Sequence, residues 1–128
     1  MSKTVLVVED DAMNMKLFRD ILESLGVACL TAADGTTALL LVKQQHTDLI
    51  LMDVQLPDMS GLDVTRAIKN DSALKHIPII AVTASAMRGD EERVMASGCD
   101  AYVSKPFPMM DLIGLLRTML GDLKFVHA

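Results

Sequence analysis

Tryptophan is absent from this 128-residue chain, tyrosine occurs once and phenylalanine three times, whereas methionine occurs ten times. Aromatic anchors are therefore scarce, and methionine is the odd excess of the composition. Cysteine is nearly absent too. Cys29 and Cys99 fit no metal-ligand spacing and read as two reduced thiols rather than a disulfide framework. Basic residues are in deficit and unclustered, with 12 Lys and Arg against 17 Asp and Glu, a net charge of −5. Binding to a phosphate backbone or an anionic membrane rests on clustered Lys and Arg, so neither nucleic acid nor direct membrane binding is expected. Long apolar runs are missing as well. The longest, 38–42 and 77–82, fall far below the roughly 18 residues of a membrane span. The apolar stretch 5–8 is too short for a secretory signal and runs straight into Glu9, Asp10 and Asp11, so the expected location is cytoplasmic.

What is present is an apolar fraction of 51%, ample for a core at a length that means one domain. No linker, repeat or low-complexity segment divides the chain. The expected domain is 1–121, with 122–128 as a short tail. Periodicity alternates between strand and helix. A β-branched run at 3–8 is followed by Leu17, Phe18, Ile21, Leu22 and Leu25 at helical spacing, closed by Gly26. Further strands are expected at 27–32, 49–52, 77–82 and 100–104, and helices at 36–45, 61–70, 85–97 and 108–120. Such alternation predicts an α/β fold, an open parallel sheet covered by helices on both faces.

Ligands of doubly wound sheets bind beyond the carboxyl ends of the strands. Those ends carry Glu9, Asp10 and Asp11, then Asp53, then Thr83, then Ser104, Lys105 and Pro106. Three carboxylates converging at one point (Glu9, Asp10, Asp53) would repel unless a cation neutralised them. Oxygen ligands of high charge select a hard ion, and Mg²⁺ fits best because it accepts few carboxylates and leaves room for a phosphate oxygen. The Thr83 hydroxyl and the Lys105 ammonium suit a phosphoryl group. An Asp carboxylate can accept that group as an acyl phosphate, and Asp53 is the candidate.

The runs Val-Leu-Val-Val-Glu-Asp-Asp at 5–11, Leu-Ile-Leu-Met-Asp-Val-Gln-Leu-Pro at 49–57 with Ser60-Gly61-Leu62, Ala-Val-Thr-Ala at 81–84 and Ala-Tyr-Val-Ser-Lys-Pro at 101–106 resemble the receiver domain of two-component response regulators. The match covers essentially the whole chain. More closely, 14–18, 86–93 and Gly98-Cys99 resemble the single-domain receivers of bacterial cell-cycle control. The resemblance implies a flavodoxin-like, CheY-like sheet of order 2-1-3-4-5 with five helices. It also implies a phosphoacceptor with intrinsic self-phosphorylation and autodephosphorylation chemistry, rather than an enzyme.

By that resemblance Asp53 is the phosphoacceptor, and Glu9, Asp10, Asp53 and the backbone carbonyl of Gln55 hold Mg²⁺, for which Mn²⁺ could substitute. Glu9 departs from the commoner Asp, and its longer side chain suggests contact through water. Thr83, Ala84 and Lys105 would bind the phosphoryl group, and Thr83 with Tyr102 would form the switch pair. Gln55 and Ser85 would tune the lifetime of the acyl phosphate. Pro57 and Gly61 would shape the acceptor loop, and the bond from Lys105 to Pro106 would be cis. Asp11 reads instead as a helix cap.

The implied partners are a sensor histidine kinase or a histidine phosphotransfer protein as donor, and protein effectors meeting the fourth helix, fifth strand and fifth helix. Recruitment to polar or membrane-bound kinases would follow from the donor. No DNA-binding segment follows, so output is expected through protein contacts. His46, His76 and His127 read as surface residues. Met52 reads as strand core, whereas Met13, Met15, Met59, Met87, Met109 and Met110 lie near the reactive rim, either as core filling or as adaptable contact surface. The last helix, with Met109, Met110, Leu112, Ile113, Leu115, Leu116, Met119 and Leu120, has more apolar side chains than one buried stripe needs. Two rivals remain: an adaptor whose pocket no longer reacts, and an aspartyl-phosphate phosphatase. The phosphatase would need a second acid two residues after the nucleophile, where Gln55 stands. A Gly-rich phosphate loop after the first strand, which a nucleotide-binding fold requires, is absent.

Overall fold

The short runs of β-branched and aliphatic residues form strands because they are buried on both faces, as a sheet sandwiched between helices demands. In the computed structural model, which describes residues 3–84 and 90–121, these are β1 (Thr4–Val8), β2 (Ala28–Ala32), β3 (Leu49–Asp53), β4 (Ile79–Thr83) and β5 (Ala101–Ser104). Between and after them lie α1 (Ala12–Ser24), α2 (Gly35–Gln44), α3 (Gly61–Lys69), α4 (Asp90–Ala96) and α5 (Met109–Leu120). The strands pair in parallel in the order β2-β1-β3-β4-β5, the order that the resemblance implies. Every residue of β3 and β4 is buried, whereas the edge strands β2 and β5 are partly open.

Alternation along the strands divides the interior into two cores. Val5, Val7, Leu49, Leu51, Ile80, Val82 and Val103 pack against Phe18, Ile21 and Leu22 of α1 and Leu112, Ile113 and Leu116 of α5. Leu6, Val8, Ile50, Met52, Ile79 and Ala81 pack against Ala38 and Val42 of α2, Leu62, Val64 and Ile68 of α3 and Val94 of α4. Helix starts are set by short polar side chains. Asp11 caps α1 by accepting from the Asn14 N–H at 3.0 Å, Asp34 caps α2 through Thr37 at 2.7 Å, and Ser60 caps α3 through Leu62 at 3.1 Å.

Several expectations shift. Leu17 is 43% exposed rather than part of the buried stripe of α1. Phe18, Ile21 and Leu22 stand at i, i+3 and i+4 and fill that stripe, and Leu17 is one step of about 100° away from Phe18. Strand β4 begins at Ile79, not at 77, because Pro78 has no N–H to give and Ile77 instead closes a turn onto the Leu74 carbonyl at 3.0 Å. The methionines serve both readings: Met52 is fully buried, Met15, Met59 and Met119 are half-buried against the cores, and Met13, Met109 and Met110 are exposed at 81%, 52% and 66%. Met87, Ser85, the expected start of the fourth helix and the tail 122–128 lie outside the described residues. Both cysteines are free thiols, and no helix among the described residues is long and apolar enough to cross a membrane.

Burial assigns unequal weight to the leucines. Replacing Leu116, which has no exposed surface, by Ala is expected to cost about 2–5 kcal/mol in denaturant unfolding. The same change at Leu40, 55% exposed on α2, is expected to stay within about 0.5 kcal/mol.

Candidate functional site

The same alternation that builds the α1/α5 core aims the acids. Val5 and Val7 of β1, Leu49 and Leu51 of β3 and Val103 of β5 all face that core. Two residues further, at the carboxyl ends, the series arrives at Glu9, Asp53 and Lys105, so one carboxylate from each of two adjacent strands and one ammonium are delivered to the same side. Lys105 Nζ donates to Glu9 Oε1 at 2.9 Å and stands 3.7 Å from Asp53 Oδ2. Asp10, exposed at the mouth, completes the group: one carboxylate oxygen from each of Glu9, Asp10 and Asp53 lies within 4.8 Å of the others. They line an open cleft of about 320 Å³ together with Asp11, Asn14, Gln55, Leu56, Pro57 and Lys105.

The backbone around the acids is closely fitted. Glu9 donates its N–H to Ala32 O at 3.0 Å, which fixes the end of β1 against β2. The Gln55 N–H donates to Asp53 Oδ1 at 3.0 Å, folding the acceptor loop back over its own carboxylate. Gly61 N donates to Val54 O at 2.8 Å. A Cβ at position 61 would collide with the Asp53 carbonyl, so only glycine fits there, as the sequence anticipates. On the opposite wall the Lys105–Pro106 bond is cis, and Phe107 stacks on Phe18 of α1 with ring centroids 5.9 Å apart.

The electrostatics follow from burial. The Glu9 side chain is 1% exposed and that of Asp53 7%, so their charges are poorly hydrated, and among the described residues one ammonium, that of Lys105, answers them. Glu9 is pushed up to about 7, first by burial and then by sharing a proton with Asp53, while Lys105 pulls in the other direction. A hard cation among three carboxylates relieves the same repulsion, and the donor set, all oxygen and net negative, suits one.

Other expected residues fall elsewhere. Thr83 is buried at the end of β4, Ala84 follows it exposed, and neither lines the cleft. Thr83 belongs to the strand face of Ile79 and Ala81, and so does Tyr102, which packs half-buried against the second core. Since Tyr102 pairs with Ala81 and Ser104 with Thr83, the two members of the expected switch pair are diagonal neighbours on one sheet face. The Tyr102 hydroxyl meets Glu91 of α4, whose carboxylate pushes the phenol up. Asp11 both caps α1 and lines the cleft. Asn14 and Leu56 were not singled out for the site by the sequence, for no local pattern marks a residue whose only distinction is its neighbours across the cleft. His46 and His76 are exposed.

Residues 5–117 match the family model of the response regulator receiver domain. The chain belongs to the response regulator receiver family. It is 52% identical over 122 residues, 95% of this chain and 99% of the relative, to the polar-differentiation response regulator DivK of Brucella ovis, and is a receiver of that type. Among solved structures it resembles the receiver domain of the sensor histidine kinase PA1611 from Pseudomonas aeruginosa, at 35% identity and a TM-score of 0.87 over 95% of this chain and 100% of that one. That receiver holds a magnesium ion coordinated in its active-site cleft. The chemotaxis response regulator CheY4 of Vibrio cholerae is similar at 28% identity and a TM-score of 0.86, over 93% of this chain and 99% of that one.

The raised Glu9 sets a pH dependence whose sign can be worked out. Between its ordinary value of 4.5 and about 7 the folded receiver binds a proton that the unfolded chain does not. Stability without metal therefore falls as pH rises through that window, and Glu9→Gln flattens the fall. Cation binding needs the ionised carboxylates, so Mg²⁺ is expected to raise the melting temperature more at about pH 8 than at about pH 6. An equal rise at both would place Glu9 outside the cation's reach.

Proposed function

We propose that this receiver accepts a phosphoryl group on Asp53 from a phosphohistidine of a sensor kinase or phosphotransfer protein, and signals through contacts that the phosphorylation changes. The observation that carries this reading is the position of Asp53: a nearly buried carboxylate at the bottom of an open cleft, with two further acids and a lysine ammonium around it. A carboxylate oxygen of Asp53 attacks phosphorus, the bond from phosphorus to the donor's ring nitrogen breaks, and the nitrogen keeps its electron pair. Water later cleaves the acyl phosphate and restores the carboxylate.

Glu9, Asp10, Asp53 and the Gln55 carbonyl are the groups that would hold Mg²⁺. The ion, when bound, supplies positive charge to the acids and to a phosphoryl oxygen. Lys105 is already at the cleft and needs only to exchange part of its contact with Glu9 for a phosphoryl oxygen. Thr83, a hydroxyl one residue beyond the pairing of Val82 with Asp53, is the group at the end of β4 that would donate to the phosphoryl group. Its diagonal neighbour Tyr102, in contact with α4, would carry the change to the face of α4, β5 and α5.

Partners divide between two faces. On the donor side an apolar groove of about 320 Å³, lined by Asn14, Leu17, Phe18, Lys105, Pro106 and Phe107, opens directly beside the acidic cleft. The exposure of Leu17 there, and of Met13 one turn earlier on α1, suits a helix of a kinase or phosphotransfer domain. On the effector side Met95, Met109 and Met110 are exposed on α4 and α5, and flexible thioethers make adaptable contacts. The likeness to DivK supports a place in bacterial cell-cycle or polarity control, in the cytoplasm and at polar kinases.

Labelling tests the chemistry and the docking face separately. Asp53→Asn is expected to abolish incorporation of phosphate from both acetyl phosphate and a phosphorylated kinase, and persistent labelling would refute the acceptor. Leu17→Ala is expected to slow transfer from the kinase by about tenfold, of the order seen when a buried apolar anchor is truncated, with labelling by acetyl phosphate unchanged.

A further inference from the structure

The acceptor loop, 54–60, has to hold the Gln55 carbonyl and Pro57 steady at the cleft, yet its inner hydrogen bonds reach only as far as the Gln55–Ser60 bridge and the Gly61–Val54 pair. Its tip is fastened from outside. Asp58 Oδ1 accepts the Gly35 N–H at 2.8 Å, and Asp58 Oδ2 accepts both the Thr36 N–H at 3.0 Å and the Thr36 hydroxyl at 2.7 Å. The next residue adds an apolar contact, for the Met59 side chain lies so close over Gly35 that a Cβ there would meet its Cγ at 2.5 Å. Loop tip and first turn of α2 are thus locked by one carboxylate and one thioether.

Asp34 caps α2 through the Thr37 N–H alone, and Asp58 takes the Gly35 and Thr36 N–H groups of the same first turn from another part of the chain, so the helix start and the loop tip share one carboxylate. Asp58 is exposed, so it fills no core position. The junction it grips is also the one that fixes the acid pair: the last residue of β2, Ala32, accepts the Glu9 N–H, and α2 begins three residues later. Metal-holding groups on the end of β1 and on the acceptor loop are therefore both referenced to a single rigid corner between β2 and α2.

From this geometry we infer that Asp58 is a positioning residue for the acidic cleft, clamping the acceptor loop to α2 so that the Gln55 carbonyl and Asp53 stay in register with Glu9 and Asp10. The inference rests on the acceptor reading given above. Its three charge-assisted hydrogen bonds hold the Asp58 carboxyl down at about 2, so the clamp is ionised at any working pH. Groups that orient metal ligands from behind typically change affinity by about 10- to 100-fold when removed.

The test compares Asp58→Ala, Asp58→Asn and Asp34→Ala with the unaltered chain, reading Mg²⁺ affinity by calorimetric titration and the initial rate of labelling by acetyl phosphate, with cooperative unfolding checked for each. Asp58→Ala is expected to lose about tenfold in Mg²⁺ affinity and in labelling rate. Asp58→Asn, which keeps one acceptor oxygen for Gly35, should recover part of both. Asp34→Ala removes a cap from the same helix without touching the loop and should leave both near the unaltered values. The inference is overturned if Asp58→Ala matches the unaltered chain, or if Asp34→Ala loses as much as Asp58→Ala. An unaltered chain that binds Mg²⁺ but takes up no phosphate would instead overturn the acceptor reading itself.

Discussion

Two strands that run side by side in the same direction must end side by side, and in this receiver both end in acid. Glu9 and Asp53 are brought to the same side of the sheet by the alternation that buries Val7 and Leu51, and Asp10 stands at the mouth. Hydrophobic burial thereby forces together charges that water would keep apart, and the repulsion is the constraint on which the site depends. Lys105 answers part of it from the end of β5. The remainder appears as a proton held on Glu9 near neutral pH, and it is the reason a divalent cation should find the cleft.

The other features around the cleft keep those charges where a phosphoryl group could use them. Gly61 lets the acceptor loop pass against the Asp53 carbonyl, and the Gln55 N–H fixes one oxygen of that carboxylate. Phe107 on Phe18 ties the segment after Lys105 to α1. Across the sheet, Thr83 and Tyr102 share the opposite face, and the Tyr102 hydroxyl links that face to Glu91 of α4. Lys105 N donates to Thr83 O at 2.7 Å, which ties the ends of β4 and β5 together beside the cleft.

Much of this was legible in the sequence because the signals are local. Unbroken apolar runs such as 49–52 announce strands covered on both faces, and an acid at the end of each of two such strands announces the cleft. Asp11 could be read as a cap since a short carboxylate ahead of a helix has few other uses. What escaped was set by distance or by angle. The contact between Asp58 and Gly35 spans 23 residues and leaves no local pattern. Leu17 shares the apolar pattern of α1 but stands one helical step off the buried stripe. Residues 77–78 continue the apolar run of β4, yet Pro78 supplies the Ile50 N–H with an acceptor and can donate nothing in return, so the strand starts at Ile79.

The claim that crowded carboxylates govern the site is tested most directly by the melting temperature of Asp53→Asn beside that of the unaltered chain, each with and without Mg²⁺. The substitution keeps the oxygen that accepts from Gln55, removes the charge and replaces the oxygen nearer Lys105 by an amide NH2. Without metal the variant should melt higher than the unaltered chain, and Mg²⁺ should raise the unaltered chain while leaving the variant nearly unmoved. A variant that melts lower without metal, or that gains as much from Mg²⁺, would contradict the account.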